Sequence, residues 1–469
     1  MSEYLDVVNP ADTRMKVGRV EASTPAGARD ALERATSAQR GWGRLDPTER
    51  GAVLFELSRL LRRDAHDLAL LITREMGKLL SDAAKEVESA ARFAEYYAGI
   101  GYAAFGDVLP GGRAGVSASA FRAPVGVVLL ITPWNDPLVT PLRKAAPALI
   151  MGNAVLLKPA SISPLIAVKL EALLLEAGLP SGVLQVLAGR PPMTVDPLLD
   201  DDRLSAVSFT GSTAAGLQLR SRLAARNVRL LTEMGGKNAA IVLADADVDL
   251  AAATIVAAAF GQSGQRCTAT SRVLVHESVA DAVRERLAAS IDETVVGDPE
   301  SSASLMGPLA SEGARESTLA SLARARAVGS SVHGGRSLDA GVLSHGWFFE
   351  PAMVDVRDDG DPTWTDELFA PVVAIRTFGS ADEAIALANA TRYGLSASVF
   401  TNDLSAAHRF IAELNVGQVA VNLPSSGWPV FLPFGGWGDS GSAHKEQGEQ
   451  VLDFYSRWKT AAIATPSYR

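Results

Sequence analysis

The chain has 469 residues, 47% of them hydrophobic and 21% charged, with a formal net charge of -9 and a single cysteine. That length exceeds one ordinary core and sets an expectation of two large domains with appendages, while the acidic balance argues against nucleic-acid binding, which needs a basic face. One cysteine excludes an intrachain disulfide framework and any multi-cysteine zinc site, so no metal is expected and Cys267 is either a small buried residue or a nucleophile.

The opening MSEYLDVVNP carries acids and no apolar run, so no signal peptide is expected. The longest apolar stretches, 123–135 and 145–157, run for about 13 residues, too short for a bilayer. The expectation is a cytoplasmic protein with no membrane partner. Asp46-Pro47-Thr48-Glu49 combines a capping aspartate, a proline at the first helical position and a glutamate at the third, predicting a helix start ahead of the pattern over 50–76, with Gly77 as the stop. Residues 106–122, rich in Gly, Ala and Ser, read as a hairpin. From residue 125 short apolar runs (125–131, 154–157, 183–187, 206–209, 228–232) alternate with helical patterns over 164–177, closed by Gly178, and 213–225. The alternation continues through 239–243, an alanine-rich helix over 248–260 and a strand over 271–276. It predicts an α/β fold with a doubly wound parallel sheet. No repeat of fixed period is present.

No G-x-G-x-x-G follows a predicted strand and no phosphate-binding P-loop occurs, so an ordinary dinucleotide fingerprint is absent. Gly264-Gln265-Arg266-Cys267-Thr268 sets the cysteine in a short connection between an apolar helix and a strand, the kind of loop that often carries catalytic residues. Arg266 beside it favours the thiolate, the reactive form. Leu231-Thr232-Glu233-Met234-Gly235-Gly236-Lys237 places Glu233 at a strand end: alone a solvated acid, beside a nucleophile a base that activates water. In Ile131-Thr132-Pro133-Trp134-Asn135 a strand ends in a turn that presents an uncharged amide, either an ordinary turn asparagine or a donor to an oxyanion.

These motifs, with Lys158-Pro159-Ala160, Phe209-Thr210-Gly211-Ser212, Glu367-Leu368-Phe369-Ala370-Pro371 and Pro433-Phe434-Gly435-Gly436, resemble the ordered signature set of the aldehyde dehydrogenase superfamily over residues 5–465. The 34 positions from Glu233 to Cys267 also match the family's usual interval. The resemblance implies a doubly wound Rossmann-like cofactor domain (1–105 and 125–235), a second α/β catalytic domain (236–436) and a protruding β-hairpin oligomerisation element (106–124 with 455–469), assembled as a homodimer or homotetramer. It implies that the Cys267 thiolate attacks an aldehyde, that the Asn135 amide and the Cys267 N–H hold the oxyanion, and that Glu233 activates the water that hydrolyses a thioester.

For the cofactor, NAD or NADP, the resemblance implies Lys158 near the adenosine ribose, and Phe209, Gly211 and Ser212 at a helix start facing the diphosphate. Glu367 and Phe369 would lie around the nicotinamide ribose, with Ile131, Thr132, Pro133, Trp134, Ala160, Met234 and Gly235 completing the set. Many NAD-preferring relatives carry glutamate where this chain has Ser161. Serine removes the repulsion toward a 2′-phosphate, so NADP is expected to be accepted; Ser161 as a cap for the helix near Pro164 is compatible with that role. The stretch Leu187-Ala188-Gly189-Arg190-Pro191-Pro192 is shorter than the family's Gly-rich one, which leaves the local diphosphate contacts open.

Arg143, in Pro141-Leu142-Arg143-Lys144, falls where the family's substrate-channel helix begins, eight residues after Asn135, and is expected about two helical turns along the same face. Arg-Lys at this place is similar to succinate-semialdehyde dehydrogenases. The 264–269 segment, Val421-Asn422-Leu423-Pro424 and Lys445-Glu446-Gln447-Gly448 resemble ketoglutarate-semialdehyde dehydrogenases; Gln-Arg-Cys also occurs in non-phosphorylating glyceraldehyde-3-phosphate dehydrogenases. An arginine there either grips a carboxylate, phosphonate or sulfonate or forms a structural ion pair. The expected substrate is a short aldehyde with an anionic far end, held by Arg143, Arg266, Ser425, Ser426 and Phe434. The alternative is an aromatic or uncharged aldehyde against Trp428, Phe431 and Trp437. An acylating enzyme that passes its thioester to coenzyme A is disfavoured by Glu233.

Overall fold

The computed structural model describes residues 3–103 and 105–464. Outside them lie residues 1, 2 and 104 of the predicted cofactor domain and 465–469 of the predicted oligomerisation element.

The capping box at Asp46 forms: its carboxylate accepts from the Thr48 amide at 2.9 Å, and Glu49 accepts from the Asp46 amide at 2.9 Å. The 50–76 pattern, however, is two helices, Pro47–Arg63 and Ala65–Met76, broken at Asp64, with Gly77 closing the second at φ 83°. No glycine or proline marks the break, because Asp64 leaves helical geometry while its carboxylate pairs with Arg63. Leu80–Ile100 then packs across both helices.

The predicted alternation becomes a five-stranded, all-parallel sheet with Leu184–Val186, Ala154–Lys158, Val127–Ile131, Leu204–Thr210 and Arg229–Glu233 side by side in that order. Side chains alternate between two cores, as a strand's period of two requires. Val128 and Leu130 enter the core with the helices of 47–100, Val139–Ile150 and Leu165–Glu176. Val127, Leu129 and Ile131 enter the opposite core with Pro25–Trp42 and the Thr213–Leu223 side. Chain order reverses between Val127–Ile131 and Leu204–Thr210, and ligands of open α/β sheets bind beyond the carboxyl ends of such strands.

A second sheet of seven strands runs Ser331–Gly334, Ala352–Asp355, Val372–Phe378, Thr270–His276, Asn238–Val242, Ser396–Phe400 and Gln418–Val421, parallel except for the first pair. It too is covered on both faces, by Val248–Phe260 and Ala280–Glu293 on one side. Gly106–Pro110, Val116–Pro124 and Ser456–Ala464 form a three-stranded antiparallel ribbon. Residues 437–454, left without assignment by the sequence, return to the first core: Val451 and Phe454 are fully buried in it, as is Tyr455, the first residue of the predicted oligomerisation element, and the Met234 amide donates to the Ser440 carbonyl at 2.9 Å. No helix among the described residues is long and apolar enough to cross a membrane.

Candidate active site

Three chain segments converge between the two sheets. Asn135 follows Val127–Ile131 of the first sheet, Glu233 ends Arg229–Glu233 of the same sheet, and Cys267 sits in the connection from Val248–Phe260 to Thr270–His276 of the second. That connection is unusual: Gln262 (φ 52°, ψ 32°), Ser263 (φ 56°, ψ 34°) and Gly264 (φ 68°) form a left-handed turn. For L-residues this conformation costs roughly 1–2 kcal/mol each, so neighbours must enforce it. Ser263 Oγ donates to the Gly307 carbonyl at 2.9 Å, and Gln265 accepts from the Ala310 amide at 2.9 Å. Downstream, Asn238 Nδ2 donates to the Cys267 and Ala269 carbonyls, each at 2.8 Å, fixing the backbone around the thiol.

Cys267 is half-buried and opens on a cavity of about 830 Å³. Burial pushes its thiol up to about 12, with Asp136, Glu367 and Glu233 adding to the shift and Arg143 opposing it. Asn135 is buried but does not itself line the cavity; Asp136, next to it, does. The Asn135 side chain bonds to no described protein group, whereas its carbonyl accepts from Gln262 Nε2 at 3.1 Å. Asn135 lies in a turn ahead of the Val139–Ile150 helix, so the expected two helical turns from it to Arg143 do not exist; Arg143 reaches the cavity from the second turn of that helix instead.

Glu233 is fully enclosed. Among the described residues its Oε2 accepts only from the Gly436 amide at 3.4 Å and its Oε1 has no partner. Burial raises its carboxyl well above the ordinary range; Glu446 adds to this, and Lys144 and Lys445 oppose it. Gly435 is required here: at φ 147° a Cβ would sit 2.5 Å from Glu233 Oε1. Behind Glu233, buried Lys144 donates to Glu446 and, at 2.9 Å, to Ser208 Oγ. On the cavity's other side Lys78 bonds to Glu86 at 2.5 Å and to Asp136 at 2.8 Å, and Glu86 caps the Leu138 and Val139 amides at 2.9 and 3.0 Å. Burial opposes ionisation of Asp136, but Lys78 and Arg266 outweigh it and hold its carboxyl well below the usual range.

Arg143 shares the cavity with Cys267, Arg266, Ser426, Trp428, Phe431 and Phe434. Its guanidinium lies 5.4 Å from the Phe93 ring centroid and 5.2 Å from that of Phe434; among the described residues its Nε has no hydrogen-bond partner, and its nearest carboxylate, Glu446, is 3.9 Å away. Arg266 donates from Nε to Gln262. Ser425 is placed otherwise than expected: fully buried, it bonds to the Thr268 carbonyl at 2.7 Å and faces Thr270, behind the cavity wall, so only Ser426 of the pair lines it. Trp437 lies in a short bridge to Gly394, away from the cavity.

The predicted cofactor residues gather at the carboxyl edge of the five-stranded sheet. Ile131, Thr132, Lys158, Phe209 and Met234 are buried there, with Pro133, Ala160 and Gly211 partly exposed. The Lys158 ammonium makes no hydrogen bond or ion pair among the described residues, and burial draws it down to about 8. Ser212 caps Thr213–Leu223. Glu367 accepts from the Gly236 amide at 3.0 Å, with burial pushing its carboxyl up to about 7, and its carboxylate packs against Gly235 where a Cβ would displace it. Phe369, at φ 55°, meets Trp134 edge to face at 5.5 Å. Ser161 donates to the Gly189 carbonyl at 3.0 Å and does not cap the following helix; the Glu75 carboxylate does, from a distant helix.

Sequence reasoning missed Gln262, Asn238, Glu86 and Lys78, and gave Glu446 no role. Gln262 and Asn238 stood inside or beside the flagged motifs, yet only the fold shows what their amides reach.

The aldehyde dehydrogenase family profile matches residues 1–461. The chain is 36% identical over 462 residues to an alpha-ketoglutaric semialdehyde dehydrogenase of Bacillus subtilis, covering 98% of this chain and 95% of that one. It is 36% identical over 472 residues to a malonate-semialdehyde dehydrogenase of Shouchella clausii, covering 100% and 95%. Its fold superposes with a TM-score of 0.95 on betaine aldehyde dehydrogenase of Staphylococcus aureus solved with NAD+, at 29% identity, covering 99% of this chain and 92% of that one. The chain is an oxidoreductase and belongs to the aldehyde dehydrogenase family.

Proposed function

We propose that this enzyme oxidises a short aldehyde with an anionic distal group to the carboxylate, through a thioester on Cys267. The observation that carries the substrate class is Arg143: a guanidinium sleeved by two aromatic rings, opening on the thiol's cavity, with an unpartnered Nε and no carboxylate in hydrogen-bond reach. An incompletely paired cation in such surroundings is costly, and a ligand carboxylate, phosphonate or sulfonate would complete its hydrogen bonds. Two relatives are named for semialdehydes that carry a carboxylate. Trp428 and Phe431 on the same cavity support a second reading, an aromatic or uncharged aldehyde.

The chemistry follows from the residues. The Cys267 thiolate adds to the aldehyde carbon, and the oxyanion is received by the Asn135 amide, free of protein partners, and the Cys267 N–H. Loss of hydride leaves a thioester. Glu233 then takes a proton from water, for which an ordinary carboxylate is too weak a base; burial beside Glu446 raises it toward the working range. Lys158 at the sheet edge, and the buried hydroxyls of Thr210 at a strand end and Thr213 at the start of the following helix, all without partners among the described residues, suit a nicotinamide dinucleotide along residues 131–134, 158–161, 209–212, 234–235, 367 and 369. When bound, that group supplies the hydride acceptor. Ser161 bears no charge, so NADP is accepted alongside NAD. In this reading residues 1–105 and 125–235 serve the cofactor, 236–436 the catalytic loop, and 106–124 with 455–469 assembly.

The test is NADPH and NADH formation on succinate semialdehyde, ketoglutarate semialdehyde, a phosphonoaldehyde, benzaldehyde and hexanal, with Arg143→Ala beside the native enzyme. Anionic aldehydes are expected to turn over fastest. Arg143→Ala should raise their KM by about 10- to 100-fold, the worth of a charge-assisted hydrogen bond, and leave the neutral ones unmoved. Faster turnover of benzaldehyde or hexanal, with Arg143→Ala indifferent, establishes the second reading.

A further inference from the structure

We infer that Gln262 is the positioning residue that sets the oxyanion site, by clamping the turn that carries Asn135 to the loop that carries Cys267; the inference rests on the proposed role of Asn135. The two oxyanion donors come from different sheets, and no backbone pairing links them. Asn135 hangs from the end of Val127–Ile131 in the five-stranded sheet, and the Cys267 N–H belongs to a loop of the seven-stranded one. Their separation therefore depends on side chains that cross the gap.

Gln262 crosses it with all of its amide. Nε2 donates to the Asn135 carbonyl at 3.1 Å and to Asp136 Oδ1 at 3.0 Å, while Oε1 accepts from Arg266 Nε, on the residue next to the nucleophile. The residue is buried in the cavity wall, where losing these bonds would leave Asp136 and Arg266 short of partners. Asp136 is anchored from behind by Lys78, which bonds to Glu86, which in turn caps the start of the Val139–Ile150 helix. The clamp thus pulls against a rigid post. Its other end is equally fixed, because the left-handed turn at 262–264 is pinned through Ser263 to Gly307, and the Gln265 amide donates to the Gln262 carbonyl at 3.1 Å.

Backbone and side chain are separable here. A left-handed position favours glycine, yet this chain places a long amide there and accepts the conformational cost. If only the turn mattered, glycine would serve better. The side chain's presence is explained by the register it imposes: it holds Asn135 and the Cys267 loop at the spacing that a tetrahedral oxygen needs, where a shift of about 1 Å can cost on the order of a hundredfold in rate.

The experiment is a double-mutant cycle between Gln262→Met, which keeps length and removes every side-chain hydrogen bond, and Asn135→Ala, with Gln262→Gly as a third variant that relieves the backbone. Single-turnover hydride release and steady-state kcat and KM are measured on the fastest aldehyde, with thermal unfolding as the folding control. Asn135→Ala should slow hydride release by about 10²- to 10³-fold. Gln262→Met and Gln262→Gly should each slow it by about 10- to 100-fold at little-changed KM. In the Asn135→Ala background Gln262→Met should have almost no further effect, because its action passes through Asn135. Full activity of Gln262→Gly, or multiplicative losses in the double variant, overturns the clamp while leaving Asn135 in place. An unchanged rate in Asn135→Ala overturns the oxyanion reading and the clamp with it.

Discussion

At the residue scale the site is a set of groups whose charges are displaced from their usual values by enclosure. The Cys267 thiol is pushed up to about 12 by burial, with Arg143 opposing the shift and three carboxylates adding to it. The resting enzyme therefore holds a protonated nucleophile, and proximity of Arg266 in sequence does not change this, since its Nε is turned to Gln262. Only the thiolate reacts. Alkylation of Cys267 by iodoacetamide should accordingly accelerate by about tenfold per pH unit between pH 7 and 9, with no plateau. Arg143→Ala, by removing the favourable charge, should slow it at every pH. A plateau below pH 9, or indifference to Arg143, shows that the thiol is not held up in this way.

At the scale of elements, much was legible. The strands of the five-stranded sheet and the helix Val248–Phe260 were readable because short, fully buried apolar runs between glycines and polar stops have few alternatives. What was not legible depends on partners distant in sequence. Ser425 looked like a loop serine beside the site, yet its hydroxyl is taken by Thr268. A cap from Ser161 on the Leu165–Glu176 helix was compatible with the sequence; instead Glu75, 90 residues away, accepts from the Leu165 and Ile166 amides at 2.5 and 3.1 Å. Removing that cap as Glu75→Ala should cost about 1–2 kcal/mol and lower the thermal midpoint. Its titration gives a second signature. Burial raises the Glu75 carboxyl to about 8, so the folded chain keeps a proton that the unfolded chain releases near the ordinary 4.5. The stability tied to that proton is complete below about pH 4.5 and is lost as the pH rises through about 8. Glu75→Gln should flatten the decline in thermal midpoint across this window, and an unchanged slope would show that Glu75 titrates normally.

At the scale of the molecule, the three-stranded ribbon presents large apolar side chains to solvent. Its outer strands, Gly106–Pro110 and Ser456–Ala464, each have an unpaired edge, and such edges invite pairing with another chain. The register aligns Val108 with Ser119 and Ile463 with Ser117, so that Val108, Phe121 and Ile463 share one face. They are 89%, 39% and 65% exposed, far above what a strand residue facing a core would show. Three large apolar groups on a ribbon with open edges are consistent with assembly into the expected dimer or tetramer. Light scattering coupled to size exclusion should give a mass of two or four chains. Val108→Lys combined with Ile463→Lys should lower it toward that of one chain, because charges on both outer strands penalise edge pairing and face burial together. A native monomer, or an unchanged assembly in the double variant, would remove the ribbon as the assembly element while leaving the catalytic groups as placed.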